Sequence, residues 1–238
     1  DRTSWNATVS TALDAITTTS VSKIVLARRS TLKLSSPLPA LRLLKALEDR
    51  GNKGRYIYLN TGRSEFAGVS PERLFSVDGT AVRSEALAGT RPRGQDPASD
   101  RRLERDLLAS SKDMTEEGIT RTAIVSELND MVSEGSLTSV ECGEVSVKRL
   151  KNVMHLRQSI NATVAEGRAD GINYELLERL HPTPAVCGEP RTEAAEGIRR
   201  GEDFDRGFYA GPFGTVGRSE TEIAVAIRTA RVDGDRVE

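Results

Sequence analysis

Cysteine and histidine are scarce in this 238-residue chain, which holds two of each: Cys142 and Cys187, His155 and His181. Two cysteines cannot build a disulfide framework, which fits a reducing compartment. Two histidines exclude a His-rich metal centre, so any metal here is a hard cation held by oxygen. No charge of one sign dominates. Lys plus Arg number 34 and Asp plus Glu 35, a net charge of −1, without the basic surplus of a general nucleic-acid binder. No apolar run approaches the roughly 20 residues of a membrane helix, and no basic stretch leads into an apolar one as in a signal peptide. Internal repeats and low-complexity segments are missing too. The first residue is Asp, so the expectation is a processed, excised or incomplete chain. Two Asn-Ala-Thr sequons, at Asn6 and Asn161, matter only in a secreted protein and read as chance.

What is present is a globular composition, 37% hydrophobic and 29% charged, with length for a sizeable core. Residues 36–51 read as a helix. Ser36 is its cap, Pro37 lies in its first turn, Ala40, Leu43, Leu44 and Leu47 form its stripe, and Gly51 is its stop. Strands follow at 55–60, 65–69, 73–77 and 81–85, with Asp78-Gly79 as a hairpin turn between the last two. Residues 100–134 read as helix with Gly118 as an interruption, 138–150 as strand, and 173–180 and 191–200 as helices. Long strands are expected at 207–217 and 221–232, and a hairpin at Asp233-Gly234. Strand runs and helix runs without regular alternation predict an α+β domain over residues 1–238.

Six stretches carry candidate chemistry. Lys23 opens an apolar run through Arg28. It is a solvated lysine or, if buried, a base with a depressed pKa. Glu72 lies in Ser70-Pro71-Glu72-Arg73, either a surface turn or a carboxylate presented from a rigid bend. Small residues around Ala88, Gly89 and Thr90, followed by arginines, form a plain loop or one offering N–H groups to an anion. Lys112, Asp113, Glu116 and Glu117 are a solvated helix face or supply a Mg2+ carboxylate. The stiff loop His181 to Pro190 makes a pocket wall, where Cys187 is a small lining residue without a partner base. Last, Phe208-Tyr209-Ala210-Gly211-Pro212 precedes a strand in which Ala224, Ala226, Arg228 and Ala230 share one face. Arg228 there meets an anionic ligand or lies at a sheet edge.

In this order the motifs resemble the chorismate-utilising enzymes, a group that includes isochorismate synthase, anthranilate synthase component I, aminodeoxychorismate synthase and salicylate synthase. The resemblance runs from about Trp5 to Glu238. It rests on Lys-Ile-Val-Leu-Ala-Arg, Ser-Pro-Glu-Arg-Leu, Glu-Ala-Leu-Ala-Gly-Thr, the Ser-Lys-Asp helix with Glu116, Val-Met-His-Leu at 153–156, His-Pro-Thr-Pro-Ala-Val-Cys-Gly and Phe-Tyr-Ala-Gly-Pro-Phe-Gly. Lys23 stands where water-adding members carry lysine and amine-adding members glutamine. His-Pro-Thr-Pro-Ala-Val-Cys-Gly and Phe-Asp-Arg-Gly-Phe-Tyr-Ala-Gly-Pro resemble the plant-type isochorismate synthases most, and small Ala185 favours the synthase over salicylate synthase.

The resemblance implies two stacked antiparallel sheets flanked by helices, with the site in a cleft between the sheets. It implies Lys23 as the base that activates water for attack at C2 of chorismate, and Glu72 as the acid that protonates the leaving C4 hydroxyl. Mg2+ is held in part by Glu116, with Glu85 as an additional carboxylate on the metal side. Ala88, Gly89, Thr90, His155, Ala185, Tyr209 and Arg228 contact substrate, the last two at the enolpyruvyl carboxylate. Chorismate and isochorismate are the expected ligands of a monomer in the cytoplasm or plastid stroma, with neither nucleic acid nor membrane as partner. The family also carries a Gly-Ala-Gly-Ile loop and a Glu-rich helix beyond the strand begun at Arg236. This sequence contains neither, nor the N-terminal segment of full-length members. The expectation is a catalytic domain incomplete at its C-terminus, with a truncated inactive module and a salicylate synthase as the alternatives.

Overall fold

A computed structural model describes residues 2–238. Its largest sheet runs β11 (Pro212–Val216), β12 (Glu220–Val225), β5 (Arg73–Asp78), β6 (Ala81–Pro92), β9 (Val153–Val164), β7 (Leu137–Cys142), with β8 (Ser146–Arg149) also paired to β9. A second runs β2 (Leu32–Lys33), β14 (Arg236–Val237), β13 (Thr229–Asp233), β4 (Glu65–Ser70), β3 (Arg55–Asn60). The short strands β1 (Lys23–Ile24) and β10 (Gly188–Glu189) pair by themselves. Every ladder among the described residues is antiparallel. The helices are α1 (Arg2–Thr18), α2 (Ala40–Asp49), α3 (Pro97–Leu108), α4 (Ser111–Ser133), α5 (Ile172–Leu180) and α6 (Arg191–Gly201). The architecture is α+β, as the order of motifs predicts.

The main core lies between the large sheet and two helices. Ile124, Leu128 and Met131 of α4 and Ile172, Leu176 and Leu180 of α5 bury against Leu74, Phe75, Val82, Ile160 and Val225. Each of these helices has one apolar stripe at three- and four-residue spacing, which is the face that a sheet can bury. Burying such an aliphatic side chain stabilises by about 1.5–3 kcal/mol, so this interface is the main source of rigidity for the strands it covers. Helix α2 seals the second sheet, with Ala40 and Leu44 against Ala67 and Val232. Leu107 of α3 packs on Met154 and Leu156 of β9.

Several boundaries differ from the sequence reading. Helix α2 begins at Ala40, not Ser36, because its cap comes from tertiary structure: the Glu65 carboxylate accepts the Ala40 N–H at 3.0 Å. Gly51 does end the helix, its N–H donating to the Glu48 carbonyl at 2.7 Å. The break in residues 100–134 falls at 109–110 rather than at Gly118, since Ser110 caps a new helix by accepting the Asp113 N–H at 3.3 Å. The strand expected at 138–150 is two strands, β7 and β8. The run expected at 207–217 is strand only from Pro212. Helix α1 and the long strand β9 escaped the sequence reading.

The most consequential difference concerns the strand expected at 221–232, which is two strands in two different sheets. Strand β12 ends at Val225 and β13 begins at Thr229. Arg228 lies in the break with φ +55°. It therefore does not share a strand face with Ala224 and Ala226. Beside this break, β4 crosses to β5 through Pro71 and Glu72. The two crossings are tied together: Val69 N–H donates to the Arg228 carbonyl at 3.3 Å, and Val225 N–H to the Glu72 carbonyl at 3.2 Å. Gly68 permits the approach, since a Cβ there would sit 2.3 Å from the Arg228 carbonyl oxygen.

Candidate active site

The double crossover is the centre of the site, because it fixes both Glu72 and Arg228 by backbone bonds. Ser70 reinforces it. Its hydroxyl donates to the Val225 carbonyl at 2.6 Å and accepts the Glu72 N–H at 3.2 Å. The Glu72 carboxyl is buried. Burial and the nearby negative charge of Glu85 push its pKa up to about 7, against the pull of Lys23 and Lys148. Such a carboxyl is protonated near neutrality and can deliver a proton.

Lys23 faces the same space from the short β1 strand. That strand is held by β10, where Lys23 is opposite Glu189, and by the Val25 N–H to Cys187 carbonyl bond at 2.8 Å. The stiff loop through Ala185 is thereby brought beside the lysine. The Lys23 side chain is 11% exposed, and its Nζ lies 3.4 Å from a Glu116 carboxylate oxygen. Burial lowers its pKa, and this outweighs the attraction of Glu116 and Glu72. A lysine with raised pKa is locked as a cation; one with lowered pKa can take up a proton in turnover.

The third wall is built around His155. Between Ala88 and Arg91 the ladder of β6 with β9 shifts register, which lifts Gly89 and Thr90 off the sheet opposite His155. Bulges of this kind re-aim backbone groups next to sites. The His155 Nδ1–H donates to the Gly89 carbonyl at 3.0 Å, with the Thr90 hydroxyl 3.1 Å from the same nitrogen. Nε2 accepts from Arg228 Nη2 at 2.8 Å. A carbonyl only accepts and a guanidinium only donates, so this tautomer is dictated and the ring is neutral. Burial, which lowers the His155 pKa, agrees. Arg228 has burial as its sole resolved perturbation, and among the described residues no carboxylate pairs with it. A half-buried guanidinium with its charge uncompensated is a receptor for an anion. Gly89, at φ +61°, is held against α4. Arg91 bridges the Thr90 carbonyl and the Asp113 carboxylate at 2.9 and 2.8 Å.

Tyr209, 37% exposed, lines a groove of about 600 Å³ with Phe66, Phe208 and Thr229, beyond the Arg228 break. Asp113 and Glu117 are buried in the fold, which leaves Glu116 as the carboxylate of its face that meets Lys23. Glu85 is committed to two cations on the protein itself. Its two oxygens take the Lys148 ammonium at 2.7 Å and the Arg157 guanidinium at 2.6 Å. Cys187 is buried and burial raises its thiol pKa, which disfavours the thiolate. Lys148 escaped sequence reasoning, since a lysine in a polar strand gives no signal of its own. Among the described residues no group of three or more His, Cys, Asp or Glu side chains could hold a metal. What the site offers a hard cation is Glu116. One carboxylate fits Mg2+ when substrate oxygens and water complete its shell.

The isochorismate synthase of Catharanthus roseus, named as chloroplastic, is 37% identical over 99% of this chain and 40% of its own length. The structure of MenF, the menaquinone-specific isochorismate synthase from Escherichia coli, matches with TM-score 0.89 and 32% identity, over the whole chain and 54% of that protein. Anthranilate synthase component I from Streptococcus pneumoniae matches with TM-score 0.82 at 24% identity, a likeness of fold alone. The chain thus spans about half or less of the length of the relatives it matches. The family described as "Chorismate binding enzyme" matches residues 1–238, and this chain belongs to that family.

Proposed function

We propose that the chain carries the catalytic site of an isochorismate synthase, which converts chorismate to isochorismate by adding water at C2 and losing the C4 hydroxyl. The observation that carries the reading is the placement of Lys23 and Glu72 in one site with pKa values pushed toward each other, the lysine down and the carboxyl up to about 7. Water must lose a proton as it attacks and the leaving hydroxyl must gain one. Lys23, neutral, takes the first proton; Glu72, protonated, supplies the second. Water is consumed and released, so the reaction is an isomerisation. General acid and base groups of this kind each contribute about 10²–10⁴-fold.

Arg228 receives a carboxylate of the substrate through its free N–H groups, aimed by the neutral His155. The lifted Gly89-Thr90 segment contacts the same ligand, and Ala185 leaves room beside Lys23. Glu116 would hold Mg2+, which neutralises substrate carboxylate charge when bound. Glu116 would then turn its charge away from Lys23 and leave the lysine easier to deprotonate.

The test is incubation of the chain with chorismate and Mg2+, with products separated by chromatography. Isochorismate alone, lost in Lys23→Ala and in Glu72→Gln, is the expected result. Salicylate with pyruvate would replace the reading by a salicylate synthase. Folded protein that leaves chorismate unchanged would replace it by a binding module.

A further inference from the structure

The residues on either side of Glu72 are held by one ion pair, Arg73 by the Glu85 carboxylate and Pro71 by the Lys148 ammonium. Glu85 on β6, 3% exposed, accepts the Arg73 N–H directly at 3.2 Å. It also accepts from the Lys148 ammonium of β8 at 2.7 Å, and that same ammonium donates to the Pro71 carbonyl at 2.7 Å. Arg157 of β9 closes the remaining Glu85 oxygen at 2.6 Å. The turn that presents the Glu72 carboxyl is therefore gripped at its preceding and following residues by a single ion pair, anchored in two strands of the sheet behind it.

We propose that Glu85 and Lys148 are positioning residues for Glu72, fixing the Ser-Pro-Glu turn and setting the charge environment in which its carboxyl keeps its proton. The inference rests on the reading of Glu72 as the acid. Glu85 is buried while the Lys148 side chain keeps 23% exposure; withdrawing such a carboxylate from water is costly, and an apolar pair of similar volume often serves stability as well. A task at Glu72 gives this pair a reason. The charged groups that face Glu72 are Glu85 from β6, Lys148 from β8 and Lys23 from β1. The first raises its pKa and the other two lower it. Glu85 and Lys148 thus act on Glu72 with opposite signs while holding it in the same place.

Opposite signs make the test specific. The infrared band of the protonated Glu72 carboxyl, assigned by its loss in Glu72→Gln, is followed against pH without any substrate. Its midpoint is expected to fall by about one pH unit in Glu85→Gln and to rise by a similar amount in Lys148→Met. At pH 8 the first shift lowers kcat about tenfold, one pH unit being a factor of ten in the protonated fraction, while KM changes less than about twofold. A band that titrates at the same pH in both variants overturns the inference. A chain that leaves chorismate unchanged while its Glu72 band moves as stated keeps the inference and loses the reading of the reaction. Turnover with an unmoved band does the reverse. If the single variants fail to fold, Glu85→Gln/Lys148→Met removes both charges. A broadened Glu72 band in that variant reports a loosened turn and supports the proposal; wild-type width and midpoint overturn it.

Discussion

Arg228 donates a hydrogen bond to Nε2 of His155 at 2.8 Å, and that bond fixes the charge of both partners. The ring has no proton to spare at Nε2, because Nδ1–H is committed to the Gly89 carbonyl. His155 therefore aims the guanidinium without neutralising it. Arg228 also lies at φ +55°, a conformation that costs a non-glycine residue about 1–3 kcal/mol and persists where the surroundings over-determine it. Arg228→Lys keeps the charge and loses the fork, which at a bidentate contact costs about 2–3 kcal/mol, so KM for chorismate is expected to rise about 30- to 160-fold. His155→Phe keeps the volume and removes the acceptor. Its KM is expected to rise by less than that of Arg228→Lys, with kcat lowered too. Steady-state kinetics on the two variants checks both.

Glu72 is expected to trade stability for activity. A carboxyl with folded pKa about 7 and ordinary value 4.5 binds a proton more tightly folded than unfolded. Its contribution is unpenalised below about pH 4.5 and becomes a cost as pH rises toward 7. Above pH 7 the cost is full, on the order of 3 kcal/mol. Glu72→Gln removes a charge that the buried site disfavours. It should raise the unfolding free energy at pH 8 and leave it nearly unchanged at pH 4, while abolishing more than about 10²-fold of turnover. Urea denaturation at the two pH values is the measurement.

Gly89 cannot take a side chain cheaply. A Cβ there would meet the Asp113 Cβ at 2.9 Å and the Leu107 Cδ1 at 3.0 Å, at a φ of +61°. Gly89→Ala is expected to destabilise by about 1–3 kcal/mol. It should also shift the carbonyl that orients His155, raising KM at temperatures where the fold survives. Thermal unfolding beside kinetics at 20 °C separates the two effects.

Metal removal has a defined signature if Glu116 is the protein's share of a Mg2+ site. A chelator should stop isochorismate formation and added Mg2+ restore it. Glu116→Gln should raise the Mg2+ concentration for half-maximal rate at least about tenfold, since even residues one shell further out change metal affinity by that factor. In the same variant the Lys23 pKa should fall, as its nearest negative partner is gone. A Mg2+ titration of rate, repeated at three pH values, reads both.

Much of the fold was legible because short-range rules wrote it. Strand β3 falls on residues 55–60 as read, and the hairpins at Asp78-Gly79 and Asp233-Gly234 join β5 to β6 and β13 to β14. These follow from alternation and from turn residues that act within four positions. The misses share a different cause. Helix α2 starts where a carboxylate 25 residues away caps it. The strand through Arg228 breaks because its halves enter two sheets, an event with no local marker. Lys23 and Glu72 were legible as candidates from their motifs, but a motif does not tell whether a lysine is solvated or buried.

The sequence by itself determined the residue types: one lysine opening an apolar run, one glutamate on a proline-stiffened turn, one arginine among small residues, and too few histidines for any metal site but an oxygen one. The tertiary structure decided their states. It buried Lys23 and Glu72 in the same space, so that desolvation lowers one pKa and raises the other. It set Arg228 against a neutral histidine instead of a carboxylate. It also paired Glu85 with Lys148 and Arg157. The reason is physical: protonation and pairing depend on what surrounds a group in three dimensions, and residues from 13 to 93 positions apart in the chain supply those surroundings.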